Sequence, residues 1–140
     1  MTKNKVNKKQ VVIQADKIVK YFQVGHRLIQ ILKGIDVAIH EGEFIILFGS
    51  SGCGKSTLLN TLLGLEIPTE GKVTFLNKNI YTYDEDGRSQ IRKEGIGFIS
   101  QQQNWIKSLN VIENVAFPLT LRGFLRGERE EKAMQFLTMV

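Results

Sequence analysis

Gly49-Ser50-Ser51-Gly52-Cys53-Gly54-Lys55-Ser56-Thr57 is the stretch on which the fold turns. It has the spacing G-x-x-x-x-G-K-[ST] of a phosphate-binding loop. Each residue type has a physical reason to be there. Glycines let the backbone wrap tightly and bring its N–H groups onto phosphate oxygens. The helix expected to start at the loop adds free N–H groups and a dipole that favours anions. Lys55 supplies a mobile positive charge for β- and γ-phosphates, and the Ser56 hydroxyl is the expected Mg²⁺ ligand. Thr57 is placed to help hold the α-phosphate. The alternative, a flexible glycine-serine turn, does not account for the apolar run before the loop or the helical composition after it.

Working outward, Phe44-Ile45-Ile46-Leu47-Phe48 is apolar at every position and predicts a strand buried on both faces. Lys55 to Leu65 predicts a helix. Upstream, residues 11–22 read as a strand, 28–32 as a short apolar piece and Ile35 to Ile39 as a half-buried strand, with a turn over residues 40–43. Downstream, 68–71 is a turn, Lys72 to Leu76 a strand, and 77–79 another turn. Asp84 to Glu94 predicts a polar surface helix closed by Gly95, with Asp84-Glu85-Asp86 as a solvated turn. Ile96 to Ser100 is strand-like and residues 101–104 form a polar loop. Val111 to Phe117 predicts a helix that stops at Pro118, and Arg126 to Val140 an amphipathic helix with no visible end.

Composition narrows the class. The chain has 140 residues, 42% hydrophobic and 24% charged, which is ordinary for a globular domain. No apolar run approaches the length of a membrane-spanning helix. The only cysteine, Cys53, excludes an internal disulfide framework and fits a reducing compartment. The net charge of +5 is mostly a tail: removing Lys3, Lys5, Lys8 and Lys9 leaves 15 basic residues against 14 acidic ones. Residues 1–10 read as a solvated, disordered basic segment. No aromatic residue is interleaved in it, which weakens a nucleic-acid reading.

Residues around the loop resemble the ATP-binding subunits of ABC transporters. They are Glu41-Gly42-Glu43-Phe44, Leu58-Leu59-Asn60, Leu63-Gly64-Leu65, Pro68-Thr69-Glu70-Gly71, Gly97-Phe98-Ile99-Ser100-Gln101 and Glu113-Asn114-Val115 ahead of Pro118-Leu119. The likeness covers about residues 12–140 and is strongest to the lipoprotein-release and macrolide-export branch. It implies an α/β fold: a P-loop NTPase (RecA-like) core with an N-terminal antiparallel β-subdomain, C-terminally truncated. On that reading residues 11–104 are a partial nucleotide-binding core and 105–140 the start of a helical subdomain.

The resemblance also assigns roles. Gly49, Ser50, Ser51, Gly52, Cys53, Gly54, Lys55, Ser56 and Thr57 would hold ATP, with Mg²⁺ on Ser56 and Gln101. An adenine-stacking aromatic falls on Phe22, with Tyr21 beside it as the alternative, because stacking needs only a flat π-face. Gln101 would approach Mg²⁺ and the γ-phosphate and sense the membrane subunit, with Gln102 and Gln103 as alternatives or the set as a solvated loop. The family's signature near LSGGQ, its Asp-Glu strand and its switch histidine have no match here, since His26 and His40 precede the loop. The implied function is ATP hydrolysis coupled to transport, by two such subunits closing over two ATP molecules against a membrane-spanning subunit, peripheral on the inner face of the cell membrane. The alternatives are a soluble ATPase of the same type acting on DNA or ribosomes, and a remnant that does not hydrolyse.

Overall fold

The computed structural model describes residues 9–101 and 104–139. Most of the basic tail and the alternatives Gln102 and Gln103 lie outside the described residues. The chain divides into two compact units at Arg92/Lys93.

The first unit is built on an antiparallel sheet. Strands β1 (Val11–Val24), β2 (Arg27–His40), β3 (Glu70–Phe75) and β4 (Lys78–Asn79) lie in the order β2-β1-β3-β4. The pieces read as 28–32 and 35–39 are thus one strand. Along β1 the buried residues are Ala15 and Ile18, three apart and not two. A bulge explains the broken alternation. Pairing shifts between Ala15 and Ile18, and Lys17 takes φ 49° while its N–H donates to Asp36 Oδ1 at 2.7 Å. The β3–β4 turn sits at Leu76 and Asn77, one residue earlier than the sequence suggested. Both have positive φ, as a two-residue hairpin requires.

Helix α1 (Lys55–Leu62) packs on this sheet. Its core-facing residues are Leu58, Thr61 and Leu62, at the i, i+3, i+4 spacing of one helix face. Leu62 joins Ala15, Ile18, Leu32, Val73 and Ile80 in the core. Burying a leucine stabilises by about 1.5–3 kcal/mol. A 3₁₀ turn over Ile80–Thr82 puts Tyr81 against the end of α1, where its hydroxyl donates toward the carbonyls of Thr61 (2.6 Å) and Glu66 (2.7 Å). Burial raises the Tyr81 pKa above the ordinary phenol range, with the Glu66 and Glu85 carboxylates adding to the rise.

Helix α2 (Glu85–Gly95) does end at Gly95; the three acids are exposed as expected, but Glu85 and Asp86 lie in its first turn and not in a turn before it. The Asp84 carboxylate accepts from the N–H of Gly87 at 2.9 Å and so caps α2. Glu85 pairs with Arg88 and Arg92, each at 2.6 Å, and Arg92 also donates to the Gly64 carbonyl at 2.9 Å.

The second unit contains α3 (Val111–Leu121) and α4 (Arg126–Leu137). They pack on each other, and Ala116 and Ala133 are the buried residues, small enough for close approach. Asn110 and Glu113 form a reciprocal capping box at the start of α3. Two expectations change. Helix α3 continues through Pro118 to Leu121, so packing of its apolar sequence outweighs the lost hydrogen bond. Helix α4 ends at Leu137, where the Thr138 N–H turns back to the Met134 carbonyl.

Two predicted strands are absent. Residues 43–50 and 96–100 are in no strand, and the expected central strand is exposed: Phe44 is 89% and Phe48 86% accessible. The reason is pairing. An extended segment becomes a strand only beside a partner that takes its N–H and C=O groups. Among the described residues no strand pairs with either segment, and every pairing is antiparallel. The β-subdomain is therefore as expected, whereas the parallel core around Phe44–Phe48 is not formed among the described residues.

Candidate functional site

The loop over residues 49–57 runs directly into α1. Gly54 is the residue ahead of the helix, at φ 100° and ψ 8°, in the left-handed region that glycine tolerates best. It also packs against β2: a Cβ there would come within 2.9 Å of Ile31 Cγ2 and 3.3 Å of Leu32 Cδ2. The start of α1 is thereby seated on the sheet. Gly49, at φ 155°, lies across the loop, and a Cβ on it would meet Cys53 Sγ at 2.5 Å. The curve of the loop admits no side chain at that point.

Lys55 folds back over this curve. Its ammonium donates to the carbonyls of Gly49 (2.9 Å) and Ser50 (2.8 Å) and lies 3.8 Å from Cys53 Sγ. An ammonium has three donors, and here they face the two carbonyls and the Cys53 sulfur. The first-turn amides of Lys55, Ser56 and Thr57 have no carbonyl partner within the helix. Ser50, Ser51, Gly52, Cys53 and Ser56 are exposed. Backbone amides, a mobile ammonium and an accessible hydroxyl form a donor set that suits phosphate. The hard oxygen of Ser56 suits Mg²⁺, which is commonly held by one or two protein oxygens plus substrate phosphates. Deeper in α1, Thr61 is fully buried and its hydroxyl donates to the Thr57 carbonyl at 2.8 Å.

The aromatic pair sits on the same sheet. Phe22 pairs with Ile29 of β2, and Ile31, which touches Gly54, lies two residues further along that strand, roughly 7 Å. The Phe22 ring is half-buried and carries the Lys20 ammonium 5.0 Å from its centroid. Tyr21 pairs with Gln30, and its N–H donates to Thr69 Oγ1 at 3.1 Å. The loop and the aromatic residues thus belong to one unit. Gln101 is exposed in a bend of the second unit.

Sequence reasoning missed Lys20 and Glu66, which form an ion pair, and the arginines of α2. A lysine two residues before an aromatic was the one visible signal. At the turn before the loop, Glu43 accepts from the His40 N–H at 2.7 Å, which holds its carboxyl below the ordinary range.

Comparison with known proteins adds identity to this geometry. A family described as ABC transporter matches residues 32–140. The lipoprotein-releasing system ATP-binding protein LolD of Legionella pneumophila (strain Lens) is 37% identical over 130 residues, 93% of this chain and 57% of LolD. The ABC transporter ATP-binding protein MJ0796 of Methanocaldococcus jannaschii is 40% identical over 131 residues, 91% of this chain and 56% of its own length. The macrolide export ATP-binding/permease protein MacB of Hyphomonas neptunium is 36% identical over 126 residues, 90% of this chain and 20% of MacB. A dimeric structure of MJ0796 in a post-hydrolysis state, bound to ADP and Pi, superposes with a TM-score of 0.85 at 37% identity, covering 91% of this chain and 56% of that one. The chain spans little more than half the length of the first two relatives.

Proposed function

This chain belongs to the ABC transporter family, among its ATP-binding subunits, and on that premise we propose that residues 49–57 bind the phosphates of Mg-ATP for hydrolysis coupled to transport. The observation that carries the reading is the seating of Gly54 on β2 with Lys55 folded over the loop. On binding, the Lys55 ammonium exchanges its Gly49 and Ser50 carbonyls for β- and γ-phosphate oxygens. The amides of the loop and first turn hold the remaining phosphate oxygens. Ser56 offers its hydroxyl to Mg²⁺, whose charge would offset that of the phosphates, and Thr57 is placed for the α-phosphate. Phe22 offers its ring to adenine, and its spacing from Gly54 along the sheet supports that role. Gln101 is the proposed second contact to Mg²⁺ and the γ-phosphate.

The remaining proposals concern the whole protein. It works as a dimer of ATP-binding subunits against a membrane-spanning subunit, on the cytoplasmic side of the membrane. The dimeric MJ0796 structure and the fused permease of MacB support this. Among the described residues no helix is long and apolar enough to cross a membrane. The family's Asp-Glu carboxylate and signature have no match in these 140 residues. Because phosphoryl transfer depends on positioning and charge stabilisation, the 140-residue chain alone is expected to bind ATP and hydrolyse little of it. Phosphate release well above background from the purified chain would contradict this.

Lys55→Ala tests the binding site. A charge-assisted hydrogen bond is worth roughly 1.5–3 kcal/mol, so ATP affinity is expected to fall about ten- to a hundredfold. Unchanged affinity in a nucleotide-binding titration would sink the assignment.

A further inference from the structure

Lys20 makes three contacts at once. Its ammonium pairs with the Glu66 carboxylate, donates to the Ile67 carbonyl at 2.6 Å and stands 5.0 Å from the centre of the Phe22 ring. Its side chain is only 13% exposed. A lysine is a flexible four-carbon stem with a strongly hydrated head, and holding it in one place costs rotamer entropy. Here a carboxylate, a carbonyl and a π-face surround the head on a side chain withdrawn from water.

We propose that Lys20 is a positioning residue for the purine base: it holds the Phe22 ring by one face and leaves the opposite face for adenine. The inference rests on the reading of Phe22 as the stacking ring. Lys20 and Phe22 are two apart on β1, as residues sharing a strand face are. A cation over an aromatic face is attracted by the ring quadrupole, so the ammonium restrains the tilt of the ring and occupies that side.

The anchor reaches further. Glu66 lies in the turn after α1, and its carbonyl accepts from the Tyr81 hydroxyl, which also reaches the Thr61 carbonyl in the last turn of α1. The base-side ring is therefore tied, through Lys20 and Glu66, to the far end of the helix whose first turn belongs to the phosphate loop. Two structures meet at Glu66: the strand that would read the base and the helix that would hold the phosphates.

The test separates base from phosphate in the intact protein. Mg-ATP and Mg-tripolyphosphate affinities are measured for wild type, Lys20→Met, Lys20→Arg, Glu66→Gln and Phe22→Ala. Lys20→Met keeps the stem and removes the charge. It is expected to weaken ATP about three- to tenfold while tripolyphosphate affinity stays unchanged. Lys20→Arg should restore most of the loss, because a guanidinium also pairs with a carboxylate and stacks on a ring. Glu66→Gln leaves Lys20 in place without its anchor and should show the same selective loss, which keeps the test open if Lys20→Met folds poorly. Equal weakening of both ligands in these variants, or no change in either, overturns the proposal. An ATP-to-tripolyphosphate ratio lost in Phe22→Ala but kept in Lys20→Met and Glu66→Gln overturns the positioning role alone. A ratio unchanged in Phe22→Ala overturns the stacking itself.

Discussion

Cys53 is exposed, with its sulfur 3.8 Å from the Lys55 ammonium and within the same tight curve as Gly49. A triphosphate seated on the loop would cover that thiol. Maleimide should therefore label Cys53 readily in buffer and more slowly in Mg-ATP, followed by mass spectrometry of the intact chain. Equal rates in both conditions would argue against nucleotide lying over the loop. At this scale the loop itself was legible, because its chemistry depends on residues packed within nine positions and their spacing is the signal. Lys20 and Glu66 were not. They meet only after α1 has carried the chain back to β1, and neither residue's neighbours in sequence announce the pairing. Phe22 stood between the two cases. Spacing pointed to it, and the sheet register places it near the strand residues that seat Gly54.

Among the elements, α2 shows what a polar helix gains from its charges. Glu85 bridges Arg88 and Arg92, and hydrogen bonds from Arg92 and then Arg88 hold its carboxyl below the ordinary range. A carboxylate depressed in the folded state stabilises fully above its unfolded pKa, and that stabilisation is lost as pH falls through the folded value. The attachment of α2 should thus weaken on the acid side of the ordinary carboxylate range. In thermal melts taken between about pH 7 and pH 3, Glu85→Gln should flatten this part of the acid loss. Parallel acid limbs in wild type and variant would show that the bridge contributes nothing. The existence of α2 was legible in its composition, but its partners were not, since Gly64 lies in the turn after α1. Pro118 misled for a related reason. Local rules stop a helix there, and the packing of α3 with α4 carries it one turn further.

At the scale of the molecule, Phe44–Phe48 is the feature with most consequence. The sequence reading took an apolar run to mean a buried strand, and the inference assumed neighbours. Burial is a property of what surrounds a segment, so five apolar residues could announce a need for partners without supplying them. Their exposure presents unpaired backbone groups beside phenylalanine and isoleucine, a template for pairing with other chains. The 140-residue chain should therefore melt broadly and scatter light with rising concentration. Phe44→Ser combined with Phe48→Ser should reduce the scattering. A sharp, reversible transition from a monomer in the unsubstituted chain would refute this.

Phe48 is bonded directly to Gly49, with no spacer between the apolar segment and the phosphate loop. Pairing that straightens residues 44–48 also restrains the entry to the loop, and a phosphate that restrains the entry biases the segment toward the paired shape. Thermodynamic reciprocity makes these one coupling free energy seen from two sides. Ligand affinity and self-association then cease to be independent properties of the chain. A dissociation constant measured for the loop belongs to the protein concentration at which it was taken.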